Sequence, residues 1–342
     1  MRVEVFELKR KNEKEWDDYV KKHPESTFFH QIGWRNIISK TYRHKPIYLM
    51  AKEKGDVKGV LPLFLIKSKL FGTKLVSIPF APYGGVCAND SLTEVALIER
   101  ARELTKLYDA DYLELRNTKK IKGEFDTDYQ YVTFIINLNQ NPKVIWERIK
   151  RDKRKNIRNA KKFGLEMDWE SNITDFYKIY TKAMRDLGTP VHDFAFFKNI
   201  LSEFPYHSRV LSVKLDNDII CSRFLLFYRD TIIAMWGFSL NEYKKYNAYS
   251  LSNWEVIKYG CGKGYKYFDL GRCIRNSGVY NYKKRWGGFS KQLYYQYYLW
   301  NTNHIPNNAQ LSSKRQKFAN IWKRLPLLIT NAIGPKLRKS VP

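Results

Sequence analysis

One pattern of elements occurs twice in this chain of 342 residues. The stretch LMAKEKGDVKGVLPLFLIKS, from Leu49, reads as a strand, a turn at Gly55-Asp56 and a second strand; VLSVKLDNDIICSRFLLF, from Val210, repeats it with Asp216-Asn217 at the turn. Small polar turn residues between apolar runs favour hairpins. In each half another apolar strand follows (74–80; 231–238), then a helix, then a closing strand. The helices are expected at 91–108, opened by a Ser91/Glu94 capping box, and at 249–262. The closing strands align residue by residue, Tyr112-Leu113-Glu114-Leu115 with Tyr267-Phe268-Asp269-Leu270 at an offset of 155, while the turns are offset by about 161. A repeated order of hairpin, strand, helix and strand means duplication. It predicts an α/β (α+β) protein with two mixed sheets, each carrying a β-α-β crossover. The expected boundaries are 1–140, 141–304 and a basic tail at 305–342.

Composition narrows the function. With 44% hydrophobic residues the chain can bury a core, which excludes a disordered protein. Its 61 Lys and Arg against 34 Asp and Glu leave a formal charge of +27, which must sit where water or an anionic partner can meet it. The charge is concentrated: residues 143–162, expected as one helix, hold ten basic and two acidic residues, and 301–342 hold eight basic and no acidic ones. The first reads as an anion-binding face or a solvated one. In the second, interspersed Phe318, Trp322, Leu325, Leu327, Leu328 and Ile329 suit a helix lying on an anionic membrane through residues 306–342, or packing on the second domain.

No apolar run approaches the roughly 20 residues that span a bilayer. MRVEVFELKRKNEKEW lacks a secretory h-region, so a cytoplasmic location is expected, peripheral on the inner membrane face if the tail binds lipid. Cys87, Cys221, Cys261 and Cys273 match no zinc or redox spacing, the six histidines form no HxxxH pair, and no metal is expected. GxSxG, P-loop and GxGxxG motifs are missing, so the chemistry must work by positioning.

The residues that could carry it fall in a few segments. Tyr83-Gly84-Gly85, after Pro79 and Pro82, is a rigid loop open to close backbone approach by a ligand, or a plain turn. Asp269 ends a strand beside Gly271-Arg272, suiting acid/base or amine-binding work, or an Asp269/Arg272 pair that fixes the loop; Glu114 and Arg116 form a similar acid-x-Arg pattern in the first domain. Arg272 can fork onto a phosphate or carboxylate. Gly188-Thr189-Pro190 is a helix stop, and His192 is either structural or a cleft residue.

In order along the chain, these segments resemble the Fem-type (FemABX-like) aminoacyl and acyl transferases. The resemblance rests on Thr27-Phe28-Phe29-His30-Gln31 with Trp34, Pro79-Phe80 with Tyr83-Gly84-Gly85, and RKNIRNAKKFG (154–164), which contains Arg158. It continues through Gly188-Thr189-Pro190, Phe268-Asp269-Leu270-Gly271-Arg272 and SGVYNYKKRWGG (277–288). The last segment is similar to the family's Y-x-F-K-x-x-F/W-G signature, with Tyr280 opening it, Tyr282 at the Phe position and Lys283 at the lysine. The tail WKRLPLLITNAIGP resembles a subgroup associated with exopolysaccharide and exosortase clusters.

The resemblance implies two tandem GNAT-like (acyl-CoA N-acyltransferase) domains, in which two neighbouring strands splay and expose backbone N–H groups to an oxyanion. It implies transfer of an aminoacyl or acyl group to an amine by direct attack, with no permanently bound cofactor. The donor would be aminoacyl-tRNA, making tRNA a partner, or acyl-CoA. The acceptor would be a lipid-linked or nucleotide-linked envelope precursor, a peptidoglycan peptide or a polysaccharide amino sugar. Lys283, Asp269 and Arg272 become the catalytic candidates. Tyr83, Gly84, Gly85, Arg158, Tyr280, Tyr282, Lys244 and Lys245 are the substrate-binding ones.

Two departures stand out: the long helical arm of some Fem proteins has no counterpart, and the turn at 242–247 has no glycine to wrap a coenzyme A pyrophosphate, although Lys244 and Lys245 could neutralise phosphates. The charge and the many tyrosines also suit a non-catalytic RNA- or polyanion-binding protein.

Overall fold

The computed structural model describes residues 3–69, 71–305 and 313–341. They form two compact units, one of Met1–Tyr131, Gln292–Ala309 and Lys339–Pro342, the other of Val132–Lys291 and Gln310–Arg338. The first therefore ends nearer 131 than 140, and it recovers a strand from residues assigned above to the second domain. That strand, Tyr294–Leu299, buries Tyr295, Gln296 and Tyr297.

The first sheet contains β1 (Glu4–Glu7), β2 (Lys45–Glu53), β3 (Asp56–Ser68), β4 (Gly72–Ser77), β5 (Cys87–Ala88), β6 (Tyr112–Asn117) and β7 (Asp126–Asp128), with β15 (Tyr294–Leu299), in the order β1-β2-β3-β4-β6-β15-β7 and with β5 on β3. Helices α1 (Glu13–Lys22), α2 (Ile32–Tyr42) and α3 (Ser91–Leu107) accompany it. The β2–β3 turn falls on Lys54-Gly55, one residue earlier than expected, because both adopt positive φ (50° and 88°) and Glu53 pairs Asp56. Likewise Asp90, not Ser91, caps α3, its carboxylate accepting the N–H of Thr93 at 2.8 Å. Leu97, Ala101 and Leu104 of α3 pack with Leu49, Leu61 and Leu113 into one core.

The second sheet contains β8 (Tyr131–Asn137), β9 (Glu166–Asp168), β10 (Ser208–Leu215), β11 (Asp218–Tyr228), β12 (Thr231–Ser239), β13 (Tyr267–Ile274) and β14 (Phe289–Gln292), ordered β14-β8-β13-β12-β11-β10-β9. Its turn falls on Asp216-Asn217 as expected, with Asp216 at φ 54°. The helices are α4 (Pro142–Arg148), α5 (Arg151–Lys161), α6 (Ile173–Asp186), α7 (Phe194–Glu203), α8 (Ala248–Gly262), α9 (Gly278–Lys284), α10 (Ser313–Arg324) and α11 (Leu327–Lys339). The basic segment is two helices rather than one. Ile149 and Lys150 are extended between α4 and α5, where Ile149 buries its side chain and the N–H of Lys150 donates to Arg285 O at 3.0 Å.

In both units the strand after the hairpin pairs in parallel with the closing strand over three residues: Lys74, Leu75 and Val76 with Tyr112, Leu113 and Glu114, and Thr231, Ile232 and Ile233 with Tyr267, Phe268 and Asp269. Beyond those residues each pair parts. In the first unit the gap is filled. The N–H of Arg116 donates to Ser77 Oγ at 2.8 Å, and the N–H of Gly84 donates to Arg116 O at 2.9 Å. The Arg116 guanidinium donates to Glu114 at 2.7 Å and to Ala81 O at 2.9 Å, all of it buried.

Tyr83-Gly84-Gly85 belongs to this seal. The Tyr83 ring packs edge-on to Phe29 at 5.7 Å, Gly84 sits at φ 140°, and a Cβ on Gly85 would lie 1.8 Å from Asn117 Oδ1. The glycines admit the chain's own backbone and side chains. Glu114→Ala should strand the buried Arg116 charge and lower unfolding free energy by about 3–5 kcal/mol in urea titration. A loss under about 1 kcal/mol would mean that the plug does not need the ion pair.

Candidate active site

In the second unit the corresponding gap stays open. The extra residue Met235 makes a β-bulge in β12, since Phe224 pairs Trp236 while Leu225 pairs Ala234. On the other side β13 turns at Gly271, whose φ is 80° and whose N–H donates to Asp269 Oδ1 at 2.7 Å. The two strands thus diverge into a cleft of about 890 Å³ lined by Lys153, Arg223, Lys244, Tyr249, Tyr282 and Lys283 among others.

Lys283, on α9, is only 8% exposed. Its Nζ donates to Gly271 O at 2.7 Å and to Arg272 O at 3.2 Å. Burial pushes its pKa below the ordinary lysine value, and the positive charges of Arg223 and Arg272 act in the same direction. Tyr282 beside it receives the Asn253 side-chain N–H at 3.2 Å, and burial lifts its hydroxyl pKa to about 12, so it stays protonated.

Arg223 enters from the middle of β11 and is fully buried. Its Nε donates to Ser252 Oγ at 2.7 Å and its Nη2 to Asn253 Oδ1 at 2.6 Å, while its guanidinium carbon lies 4.2 Å from the Tyr249 ring centre. Among the described residues Nη1 has no hydrogen-bond partner. Gly237, paired with Arg223, makes room: a Cβ there would lie 3.2 Å from Tyr249 and 3.3 Å from Arg223. Lys153, from α5, holds its Nζ 4.3 Å from the Tyr282 ring centre and 3.8 Å from Asp152, whose carboxylate is bonded by Arg285 at 2.7 Å. The cleft's buried cations therefore rest largely on rings, hydroxyl and amide oxygens and carbonyls, which hold them without cancelling their charge. Asp186, also in the lining, is bonded to Arg185 at 2.8 Å.

The mouth of the cleft also meets the start of α8, where Asn247 adopts the left-handed conformation (φ 55°) that a glycine would otherwise supply. Lys244 lines this end. Lys245 does not; its Nζ lies 5.1 Å from the Tyr246 ring centre.

Of the remaining candidates, Asp269 is buried and accepts from Thr133 Oγ1 as well as from Gly271, which makes it the brace of the β13 turn. The side chain of Arg272 is exposed, and it is the carbonyl of this residue that meets Lys283. Tyr280 packs on Phe134 at 5.0 Å, and Arg158 is exposed over Trp146. His192 is buried among Tyr180, Phe196 and Trp236 and meets Arg338 Nε at 3.3 Å, a structural setting. Arg223 and Lys153 were not singled out from sequence. The usable signal for Arg223 was an arginine inside the apolar run of β11. Among the described residues no cluster of His, Cys, Asp or Glu could hold a metal ion.

Residues 147–284 match the family of acetyltransferase (GNAT) domains. The second unit carries a GNAT domain. Its parted strands, β12 and β13, correspond to the splay expected of that fold, and the solved structures similar to the chain extend the likeness to both units. FemX is 16% identical with a TM-score of 0.69, covering 87% of this chain and 98% of that one. A tandem GNAT protein from the clavulanic acid biosynthesis pathway is 10% identical with a TM-score of 0.55, over 86% and 98%. The C-terminal domain assigned to a lysylphosphatidylglycerol synthetase of Agrobacterium fabrum is 10% identical at 0.58, over 94% and 96%. The fold is thus a FemABX-like tandem of GNAT-like domains, and the family match gives the second unit the GNAT acyltransferase class. No curated protein matches it.

Removing the brace tests the role assigned to Asp269. Asp269→Ala leaves the Gly271 N–H and the Thr133 hydroxyl without their acceptor and should cost about 1–3 kcal/mol of stability. Asp269→Asn keeps an acceptor oxygen and should retain transfer. Loss of transfer by Asp269→Asn in a protein of unchanged melting temperature would instead mark an acid/base role.

Proposed function

We propose that the chain moves an aminoacyl or acyl group from a phosphate-bearing donor, aminoacyl-tRNA or acyl-CoA, to an amine of a cell-envelope precursor. The observation that carries this reading is the open splay of β12 and β13 above a cleft in which Arg223 and Lys283 are held by neutral groups rather than by a carboxylate. The acceptor class draws support from the Fem-type resemblance and from the likeness to a lysylphosphatidylglycerol synthetase domain. A peptidoglycan peptide or a polysaccharide amino sugar is the acceptor to assay first.

The chemistry needs a neutral amine, a held oxyanion and a stabilised leaving group. Past Ile233, β12 no longer pairs with β13, which frees backbone on that edge to face a carbonyl oxygen as negative charge develops. Lys283 supplies a fixed ammonium, anchored by two carbonyls so that little reorganisation is needed when that charge appears. The start of α8 and Lys244 favour the donor's phosphates at the cleft mouth. No side chain is asked to form a covalent intermediate. The amine attacks directly, its proton leaves to solvent or leaving group, and the bond from the acyl carbon to the donor breaks.

Lys283→Ala should reduce transfer by at least about 10²-fold while general polyanion binding changes little. Because burial lowers the Lys283 pKa, its charge is lost at a lower pH than for an ordinary lysine, so transfer should fall on the alkaline side earlier than a free lysine would dictate. Lys283→Arg, if active, should carry that limb upward. The unfolded chain holds this proton to higher pH than the folded one, so stability contributed by this group rises with pH across that window. Transfer undiminished in Lys283→Ala, or a Lys283→Arg profile identical to wild type, would remove Lys283 from the reaction.

A further inference from the structure

The C-terminal helices use two different faces. Inward, Trp322 is 2% exposed, a Cβ on Gly188 would lie 2.6 Å from Ala319, and Gly334 lies against Val191 and Trp322. This side docks α10 beside α6 and sets Gly334 of α11 against Val191, all within the second unit. Outward, the same helices expose Ile321 (64%), Leu328 (84%), Ile329 (44%) and Ile333 (39%), with the bend at Leu325-Pro326 between them. Solvent-facing Lys317, Lys323, Arg324 and Lys336 flank these residues, and residues 301–342 contain no acid. Apolar side chains left in water beside cations, with no acid of the tail itself to offset them, match an anionic lipid surface: acyl chains accept the leucine and isoleucines, and phosphate headgroups accept the lysines and arginine.

We infer that the outward face of α10 and α11, centred on Ile321 and Leu328 with Lys323 and Arg324, docks the protein on an anionic phospholipid membrane. No helix among the described residues is long and apolar enough to cross one, so this contact is peripheral. The inward face is already satisfied by the protein, so docking needs no unfolding of the helices from the second unit. The charge asymmetry argues against a second copy of this chain as the occupant, because two such faces would bring like charges together. The inference does not depend on the transfer chemistry, since what it predicts is binding.

The full chain is mixed with vesicles of phosphatidylcholine alone or with about one-third phosphatidylglycerol, and bound protein is read by flotation. Wild type should float with the anionic vesicles only. Raising the salt should release it, because the attraction is screened within a Debye length. Ile321→Glu with Leu328→Glu, and separately Lys323→Glu with Arg324→Glu, should each weaken binding by about tenfold or more. All four side chains are exposed, and an unchanged near-ultraviolet circular dichroism spectrum and melting temperature certify the fold of each variant. Wild type failing to bind anionic vesicles, or variants binding as well as wild type, would overturn the inference. So would sedimentation revealing a wild-type dimer that the Ile321/Leu328 variant dissolves.

Discussion

Three paired residues hold β12 to β13, and the character of the second unit follows from what happens after them. A parallel pair that continued would satisfy its backbone and leave no room for a ligand. Here the Met235 bulge turns one strand and the left-handed Gly271 turns the other, so the strands cannot rejoin. Asp269 fixes that turn through the Gly271 N–H, and the carbonyls of residues 271 and 272, turned outward by it, hold Lys283. The lysine is thus a consequence of the strand geometry as much as of its own helix.

Duplication supplied the same parallel pair twice, and the two gaps beyond it differ in what surrounds the buried arginine at each, Arg116 on the closing strand of the first unit and Arg223 on the hairpin of the second. In the first unit a buried arginine meets a buried glutamate, and the loop with Tyr83-Gly84-Gly85 closes over them. In the second a buried arginine meets a serine, an asparagine and a tyrosine ring. Neutral partners fix an arginine in place but leave its field to act on whatever enters, whereas a carboxylate removes most of it. One gap is a sealed part of a core, and the other opens into a cleft lined by Lys153, Arg223, Lys244 and Lys283.

The large elements were legible because periodicity and turn chemistry are local. The alternating apolar runs, the Asp216-Asn217 turn, the crossover helices and the aligned Tyr112 and Tyr267 strands all appear where the pattern puts them. Errors clustered where a local signal had two equivalent readings. Asp90 and Ser91 are both good caps, and the basic segment at 143–162 gives no sign that burial of Ile149 will break it. The tail had two readings, an anionic membrane surface or packing on the second domain; the structure buries Trp322 and leaves Leu328 and Ile329 in solvent.

Sequence by itself determined the duplicated fold, carried through its ordered motifs a resemblance that implies a transferase, and singled out Lys283, Tyr282 and Lys244 as residues of one segment or another. Only the tertiary structure decided that these three share a cleft, that Arg223 joins them from β11, and that Arg158, Tyr280, Lys245 and the side chain of Arg272 do not. The reason is physical. Hydrophobic periodicity reports which face of an element is buried, but whether a buried cation meets a carboxylate or a ring depends on neighbours brought from elsewhere in the chain. That choice, made at Arg116 and again at Arg223, has no local signature.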